Sequence, residues 1–405
     1  MPTGTTARRR HFAFLSYPAH GHVNPTLPVV TELVRRGHRV SYLIAGQYAD
    51  AVRATGAETL VYRSQVPESW DTIAIPEIIT ADVVAEAARA HAVEGFSPLP
   101  VALRAFGSDR PDLLLYDAFG YPAGRLMSRK WDIPGVLLCT TFAATERYSP
   151  YARLSGQVPS PSPDHPALLE ARTLVAKTLA EHGLPESPEE FSVGREKLNL
   201  VFVPRWFQPA SELFDHRFAF FGPCLGPRPG SWSPSGDRPV LLITMGSFGY
   251  ENQREFFACC LEAFADSPWQ VIMTIGRLVA REELGPLPPN FEIYPWVPQL
   301  AVLRHASGFI SHAGMGSTLE ALASGVAPVV VPRSPEQELV ADRVAELRLG
   351  RKLPPAEVSA RSLRAAVNGL AADLATAERV RKVREAIAGA RAPERAASAI
   401  EDLLT

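Results

Sequence analysis

The sequence predicts an α/β protein with two mainly parallel sheets flanked by helices and a helical C-terminus. Three observations carry this. Short apolar runs alternate with longer helical stretches from end to end, the mark of repeated βαβ units. Residues 222–239, GPCLGPRPGSWSPSGDRP, hold too much proline and glycine to continue a helix or a central strand, so the pattern breaks there and restarts. The length of 405 residues accommodates two domains at about 150 residues each.

Taken in order, residues 1–10 are expected to be a disordered tail, and the apolar stretch after them, 12–15, is too short for a secretory signal. A first domain over 11–221 carries expected strands at 12–17, 39–44, 112–116, 135–140 and 198–203. The helix expected at 25–36 has Pro25 in its first turn and stops at Gly37. Residues 65–96, with Trp70, Ile73, Ile75, Ile78 and Ile79 and little charge, either cap a pocket or pack as a surface excursion. Residues 148–166 are proline-rich and read as a loop. After the 222–239 linker, a second domain over 240–405 carries expected strands at 240–244, 270–275, 291–294, 308–311 and 327–331. From Ser359 onward the chain reads as helix, with the last helix a candidate to pack back on the first domain.

Composition narrows the function. Apolar residues make up 46% and charged residues 21%, so each half can bury a core. Forty-one Lys and Arg against 43 Asp and Glu give a net charge of -2, without the basic excess that nucleic-acid binding draws on. Cys139, Cys224, Cys259 and Cys260 have neither disulfide-framework nor zinc-ligand spacing and read as reduced thiols. No apolar run is long enough for a membrane span, so no integral membrane segment and a cytoplasmic location are expected.

The first chemical cluster is His20-Gly21-His22-Val23-Asn24-Pro25, between the first strand and the first helix. In an open parallel sheet that turn lies at the carboxyl end of a strand, where ligands bind. His20 is the candidate general base, with Asp117, also at a strand end, as the carboxylate that orients it. His22 reads as a brace for the turn. Each histidine also has a plain structural explanation, a polar side chain satisfied by the turn. The two histidines with Asp117 also have the makings of a metal site, but the rest of the chain offers no further ligand cluster at strand ends, so no metal is expected.

In the second half, strand 308–311 runs into His312-Ala313-Gly314-Met315-Gly316-Ser317-Thr318 and then a helix containing Glu320. Small residues at a helix N-terminus let backbone amides meet a phosphate, although such a turn also serves as a simple tight connection. Met245-Gly246-Ser247 follows the strand at 240–244 at the same edge and can add a hydroxyl. Trp296, between Pro295 and Pro298, offers a flat face for a base or is ordinary core. Glu336 and Gln337 open a helix and can grip vicinal hydroxyls, or Glu336 merely complements the helix dipole.

Together AHGHVNP, PWVPQ, HAGMGSTLEAL and EQ resemble the bacterial macrolide glycosyltransferases of the UDP-glycosyltransferase superfamily, over nearly the whole chain. The resemblance implies the GT-B fold, two Rossmann-like domains facing across a cleft, the first binding the acceptor and the second the nucleotide sugar. It implies that His20 is the base and Asp117 its partner. Trp296 then stacks on the base, Val297 contacts its edge, and Gln299 and Glu320 serve the ribose. His312, the amides of Gly314, Met315, Gly316, Ser317 and Thr318, and Ser247 hold the diphosphate, while Glu336 and Gln337 hold the sugar. Glu336 stands where many relatives have Asp.

The implied reaction transfers a hexose, glucose first, from a nucleoside diphosphate sugar with inversion to a hydroxyl of a hydrophobic acceptor. It needs no metal or other cofactor, because amides and His312 meet the developing charge. The donor is UDP-glucose or a TDP-sugar, and Trp70, Phe96, Phe119, Phe142 and Tyr148 are candidates to line a pocket for a macrolide, polyketide or phenolic acceptor. The alternatives are a TDP-deoxysugar transferase, a non-catalytic nucleotide-binding partner and a sugar-nucleotide epimerase. The molecule is expected to be a monomer or homodimer.

Overall fold

The computed structural model describes residues 9–66, 74–76, 78–150, 152, 158–193 and 196–405. In chain order its strands are β1 (His11–Leu15), β2 (Arg39–Ala45), β3 (Glu58–Tyr62), β4 (Ala74–Ile75), β5 (Leu113–Asp117), β6 (Gly135–Cys139), β7 (Leu198–Val201) and β8 (Phe218–Phe220) in the first half. The second half has β9 (Val240–Thr244), β10 (Gly249–Tyr250), β11 (Gln270–Thr274), β12 (Phe291–Tyr294), β13 (Ala306–Ser311), β14 (Pro328–Val330) and β15 (Arg351–Lys352).

The first sheet runs β3-β2-β1-β5-β6-β7-β8 and the second β12-β11-β9-β13-β14-β15, every pairing parallel. Their central strands are buried at every residue, HFAFL in β1, LLLYD in β5 and VLLIT in β9, because helices cover both faces of a parallel sheet. Leu15 of β1 lies beside Leu43 of β2 and Tyr116 of β5, so strand order reverses at β1. Thr244 of β9 likewise lies between Thr274 of β11 and Ser311 of β13. Each sheet therefore opens a crevice at the carboxyl ends of its middle strands, the place such folds bind ligands.

Among the described residues the two halves meet through paired strands, an apolar cluster and a returning helix. β4 pairs with β10, Ala74 beside Gly249 and Ile75 beside Tyr250. Phe142, Val201 and Phe207 of the first half share an apolar cluster with Met315, Leu319 and Val340 of the second, and Arg343 donates to the carbonyls of Phe207 (3.0 Å) and Trp206 (2.7 Å). The helix Ala392–Asp402 crosses back, burying Ala396, Ala397 and Ile400 against Val29, Val30 and Leu33 of the helix Leu27–Arg35. Fully burying Ile400 contributes about 1.5–3 kcal/mol. Glu401 accepts from Arg36 (2.5 Å) and faces His38 Nε2 at 2.7 Å, which fixes the angle of the crossing.

The helix expected at 25–36 runs Leu27–Arg35, and a separate piece, the single turn His20–Val23, stands before it. Pro25 has no N–H to continue the first turn's ladder, and the second piece carries Pro28 where an amide partner is not needed. All four cysteines are free thiols, three of them buried. Among the described residues no helix is long and apolar enough to cross a membrane.

Candidate active site

The turn after β1 is held from below. Tyr42 Oη lies 2.6 Å from Ser16 Oγ and 2.7 Å from Thr26 Oγ1, and Val23 is fully buried, so the single turn His20–Val23 cannot rotate on the sheet. Within one helical turn, residues two apart point about 200° from each other. His22 is the one that faces Asp117. Its Nδ1 donates to Asp117 Oδ2 at 2.9 Å, with Thr140 Oγ1 3.0 Å from the same nitrogen. His20 is exposed, and its ring lies edge-on to Tyr48 at 5.0 Å between centroids. The pairing expected for His20 is therefore made by His22. Position at a strand end does not separate the two histidines, whereas the direction of a helical turn does.

Asp117 is fully buried at the end of β5, and its second oxygen accepts from the amide of Phe119 at 2.7 Å. A carboxylate only accepts, so Nδ1 of His22 carries the proton and Nε2 is left as the basic nitrogen. Tyr17 and Phe119 flank the imidazole at 5.4 and 5.0 Å. Burial alone would depress this imidazole, but the charge and hydrogen bond of Asp117, with the charge of Glu336 from the other half, hold it above its ordinary 6.5.

Across the cleft, His312 follows β13 and is buried. Its ring lies between Gly246 and Gly314: a Cβ built at either would stand 2.6 or 2.4 Å from Nε2. Gly246 also sits at φ +86°, in the left-handed region that favours glycine. Burial lowers the His312 imidazole to about 4, against a weaker opposing hydrogen bond with the backbone of Thr244. It is neutral at pH 7. Gly314 caps the helix Met315–Ser324 without any side-chain acceptor, so the amides of Met315, Gly316 and Ser317 have no partner within the helix. Open space surrounds the Cα of Gly316. Thr318 corrects the expectation for it: its amide donates to Gly314 O at 2.9 Å, and its side chain is fully buried. Counted from the cap, the amides without an intrahelical partner end at Ser317.

Trp296 is 66% exposed, an open aromatic face rather than core, and Ser247 is half-buried in the turn beyond Gly246. Val297 turns its side chain into the core beneath. Gln299 Nε2 donates to Glu320 Oε2 at 2.7 Å and lies 3.2 Å from Ser317 Oγ, tying together three predicted residues. Glu336 is half-buried in the first turn of the helix Pro335–Glu346, which Ser334 caps through the amide of Gln337. Gln337 is buried and engaged at both ends, accepting from the amide of Arg333 (2.8 Å) and donating to Tyr250 Oη (2.7 Å).

Of the expected acceptor-pocket aromatics, Phe119 stands beside His22. Phe96 and Phe142 belong to the packed core, and Tyr148 packs on Phe214 at 5.9 Å. Trp70 lies outside the described residues. Sequence reasoning did not single out Thr140, although it follows β6 next to the strand that ends in Asp117 and neighbouring strand ends share a crevice. Tyr250 and Arg228, which lies in the proline-rich stretch 222–239 and pairs with Glu320, carry no local signal. His91 donates Nδ1–H to Ala87 O at 2.7 Å and lies 5.4 and 5.5 Å from the rings of Tyr17 and Phe119.

Residues 259–403 match the family model described as erythromycin biosynthesis protein CIII-like, C-terminal domain. The chain is 38% identical to the NDP-glycosyltransferase YjiC of Bacillus subtilis over 97% of both chains. It is 36% identical to the oleandomycin glycosyltransferase of Streptomyces antibioticus, over 99% of this chain and 92% of the other. Among solved structures, the calicheamicin glycosyltransferase CalG4 superposes with a TM-score of 0.81 at 40% identity, covering 98% of each chain. The kitacinnamycin glycosyltransferase gives 0.84 at 37%, over 98% of this chain and 99% of the other. With two facing parallel-sheet halves and this likeness along its whole length, the chain belongs to the macrolide and NDP-glycosyltransferases of the UDP-glycosyltransferase superfamily and is a glycosyltransferase of the GT-B fold.

Proposed function

We propose that the chain is an inverting, metal-independent transferase that moves a hexose, glucose first, from a nucleoside diphosphate sugar to a hydroxyl of a hydrophobic natural product such as a macrolide, polyketide or phenol. The observation that carries it is the His22–Asp117 pair, 2.9 Å apart, electrostatically coupled to Glu336 of the opposite half. Relatives named for oleandomycin and for demethyllactenocin support the acceptor class.

In this reading the acceptor hydroxyl gives its proton to His22 Nε2 as its oxygen bonds to the anomeric carbon. The bond from that carbon to the diphosphate oxygen breaks on the opposite face, turning an α-linked donor into a β-glycoside. The proton ends on an imidazolium paired with Asp117. The electron pair ends on the diphosphate, met by the free amides of Met315, Gly316 and Ser317, by Ser247 and by a neutral His312 that donates one hydrogen bond. Trp296 serves as platform for the base, Val297 contacts its edge through the backbone, Gln299 and Glu320 hold the ribose, and Glu336 and Gln337 hold the sugar.

The test incubates the protein with UDP-glucose or TDP-glucose and a panel of macrolide and phenolic acceptors in EDTA, with products read by mass spectrometry. A hexose adduct lost in His22→Ala and kept in His20→Ala is expected. An adduct undiminished in His22→Ala removes His22 as the base.

A further inference from the structure

Between β8 and β9 the chain runs past the candidate nucleoside pocket, and one of its side chains enters it. Arg228 Nη2 lies 2.7 Å from Glu320 Oε1, with the Glu320 side chain 5% exposed. Glu320 Oε2 takes the hydrogen bond from Gln299. The carboxylate is thus held at both oxygens, once by the domain that carries it and once by the linker.

The backbone on either side of Arg228 is seated against both halves. Gly226 lies against Pro28 of the first half, where a Cβ would come within 2.8 Å of the proline ring. Gly230, at φ +103°, lies against Pro298, the residue before Gln299, where a Cβ would come within 2.9 Å. Beyond it, Trp232 packs on His305 at 5.8 Å. Arg228 is therefore delivered to Glu320 by a segment wedged at both ends.

Given the ribose role proposed above for Glu320, we infer that Arg228 is a positioning residue of the nucleoside site. A buried carboxylate without a cation is costly and turns away or draws in water. An ionised carboxylate has about four acceptor sites, and Arg228 and Gln299 use one on each oxygen. One site per oxygen remains for the two hydroxyls of a ribose. Arg228 therefore sets the preference for a ribose over a 2′-deoxyribose, and it couples nucleoside binding to the linker between the halves.

Calorimetric titration of UDP and 2′-deoxy-UDP into the full-length protein tests this, with Arg228→Ala, Arg228→Lys, Arg228→Gln and Glu320→Ala beside the wild type. The wild type is expected to favour UDP. Arg228→Ala is expected to weaken UDP about tenfold and 2′-deoxy-UDP much less, bringing their ratio toward one, with Arg228→Lys recovering part of the ratio. In turnover the donor KM rises while kcat holds. Unchanged UDP affinity and ratio in Arg228→Ala and Arg228→Gln, with Glu320→Ala still weakening UDP, overturns the role of Arg228 and leaves the ribose reading standing. Tighter UDP binding in Arg228→Ala also overturns it, since the arginine would then compete with the ribose. UDP binding indifferent to Glu320→Ala removes the ribose reading and the inference with it.

Discussion

Each half of the molecule places a histidine just beyond a middle strand of its sheet, yet the two imidazoles are pushed in opposite directions. His22 is held above 6.5 by Asp117 and Glu336 despite its burial, while His312, packed between two glycines, falls to about 4. Topology chooses where the side chain stands, and the nearest charge decides what it can do. A carboxylate at 2.9 Å favours the protonated imidazole, and its absence leaves a neutral one.

The largest expected consequence concerns His22. Replacing it with alanine should cost about 10²–10⁴-fold in kcat with nucleotide affinity intact, and His20→Ala should stay within a few-fold. Single-turnover rates beside nucleotide titrations separate the two; equal losses would erase the contrast between the histidines.

The second concerns stability. Between pH 6.5 and about 4 an unfolded His312 binds a proton that the folded one refuses, so this residue removes up to about 3 kcal/mol as pH falls through that window. His22 acts with the reverse sign: its contribution is complete below 6.5 and fades as pH rises through its raised folded value. Denaturation midpoints from pH 4.5 to 8.5 should fall less steeply toward acid in His312→Asn and more steeply in His22→Asn.

A third, smaller effect separates two glycines of one turn. Gly314→Ala forces a Cβ within 2.4 Å of the His312 ring, so it should lower the melting temperature and raise the donor KM about tenfold. Gly316→Ala meets nothing within 4 Å, so it should leave melting unchanged and raise only the donor KM. If both variants lost stability alike, the space before that helix would not be reserved for a ligand.

The smallest is a shift in a pH profile. Activity should rise with pH as His22 loses its proton, and Glu336→Gln should move that acid limb downward by a fraction of a unit, because one of the charges holding the imidazole up is gone. A limb that stays in place would mean that the two halves do not share a field during turnover.

The sequence announces the buried middle of each sheet, because strands covered on both faces must be apolar throughout. Leu113-Leu114-Leu115 and Val240-Leu241-Leu242-Ile243 leave no other reading. It is silent on β3, β8 and β15 at the edges, and on β4 and β10, which at two residues each have no period to detect. The glycine-rich turn at 312–317 is legible as a strand-to-helix connection because small residues, a strand and a helix occur in one continuous stretch. The choice between His20 and His22 is not, since it depends on how a single turn is rolled against Asp117, 95 residues away. The same holds for Gln337, whose amide is spent on Tyr250, 87 residues distant, and for Arg228, 92 residues before its carboxylate in the sequence numbering.

The return of the helix Ala392–Asp402 to the first half means that the backbone passes between the halves twice, at the proline-rich segment and again near Arg391, which adopts a left-handed conformation. A panel hung from two points swings about the line through them and resists twisting about any other axis. Any closing of the cleft would thereby be steered along one arc, bringing the same residues of the two rims face to face each time.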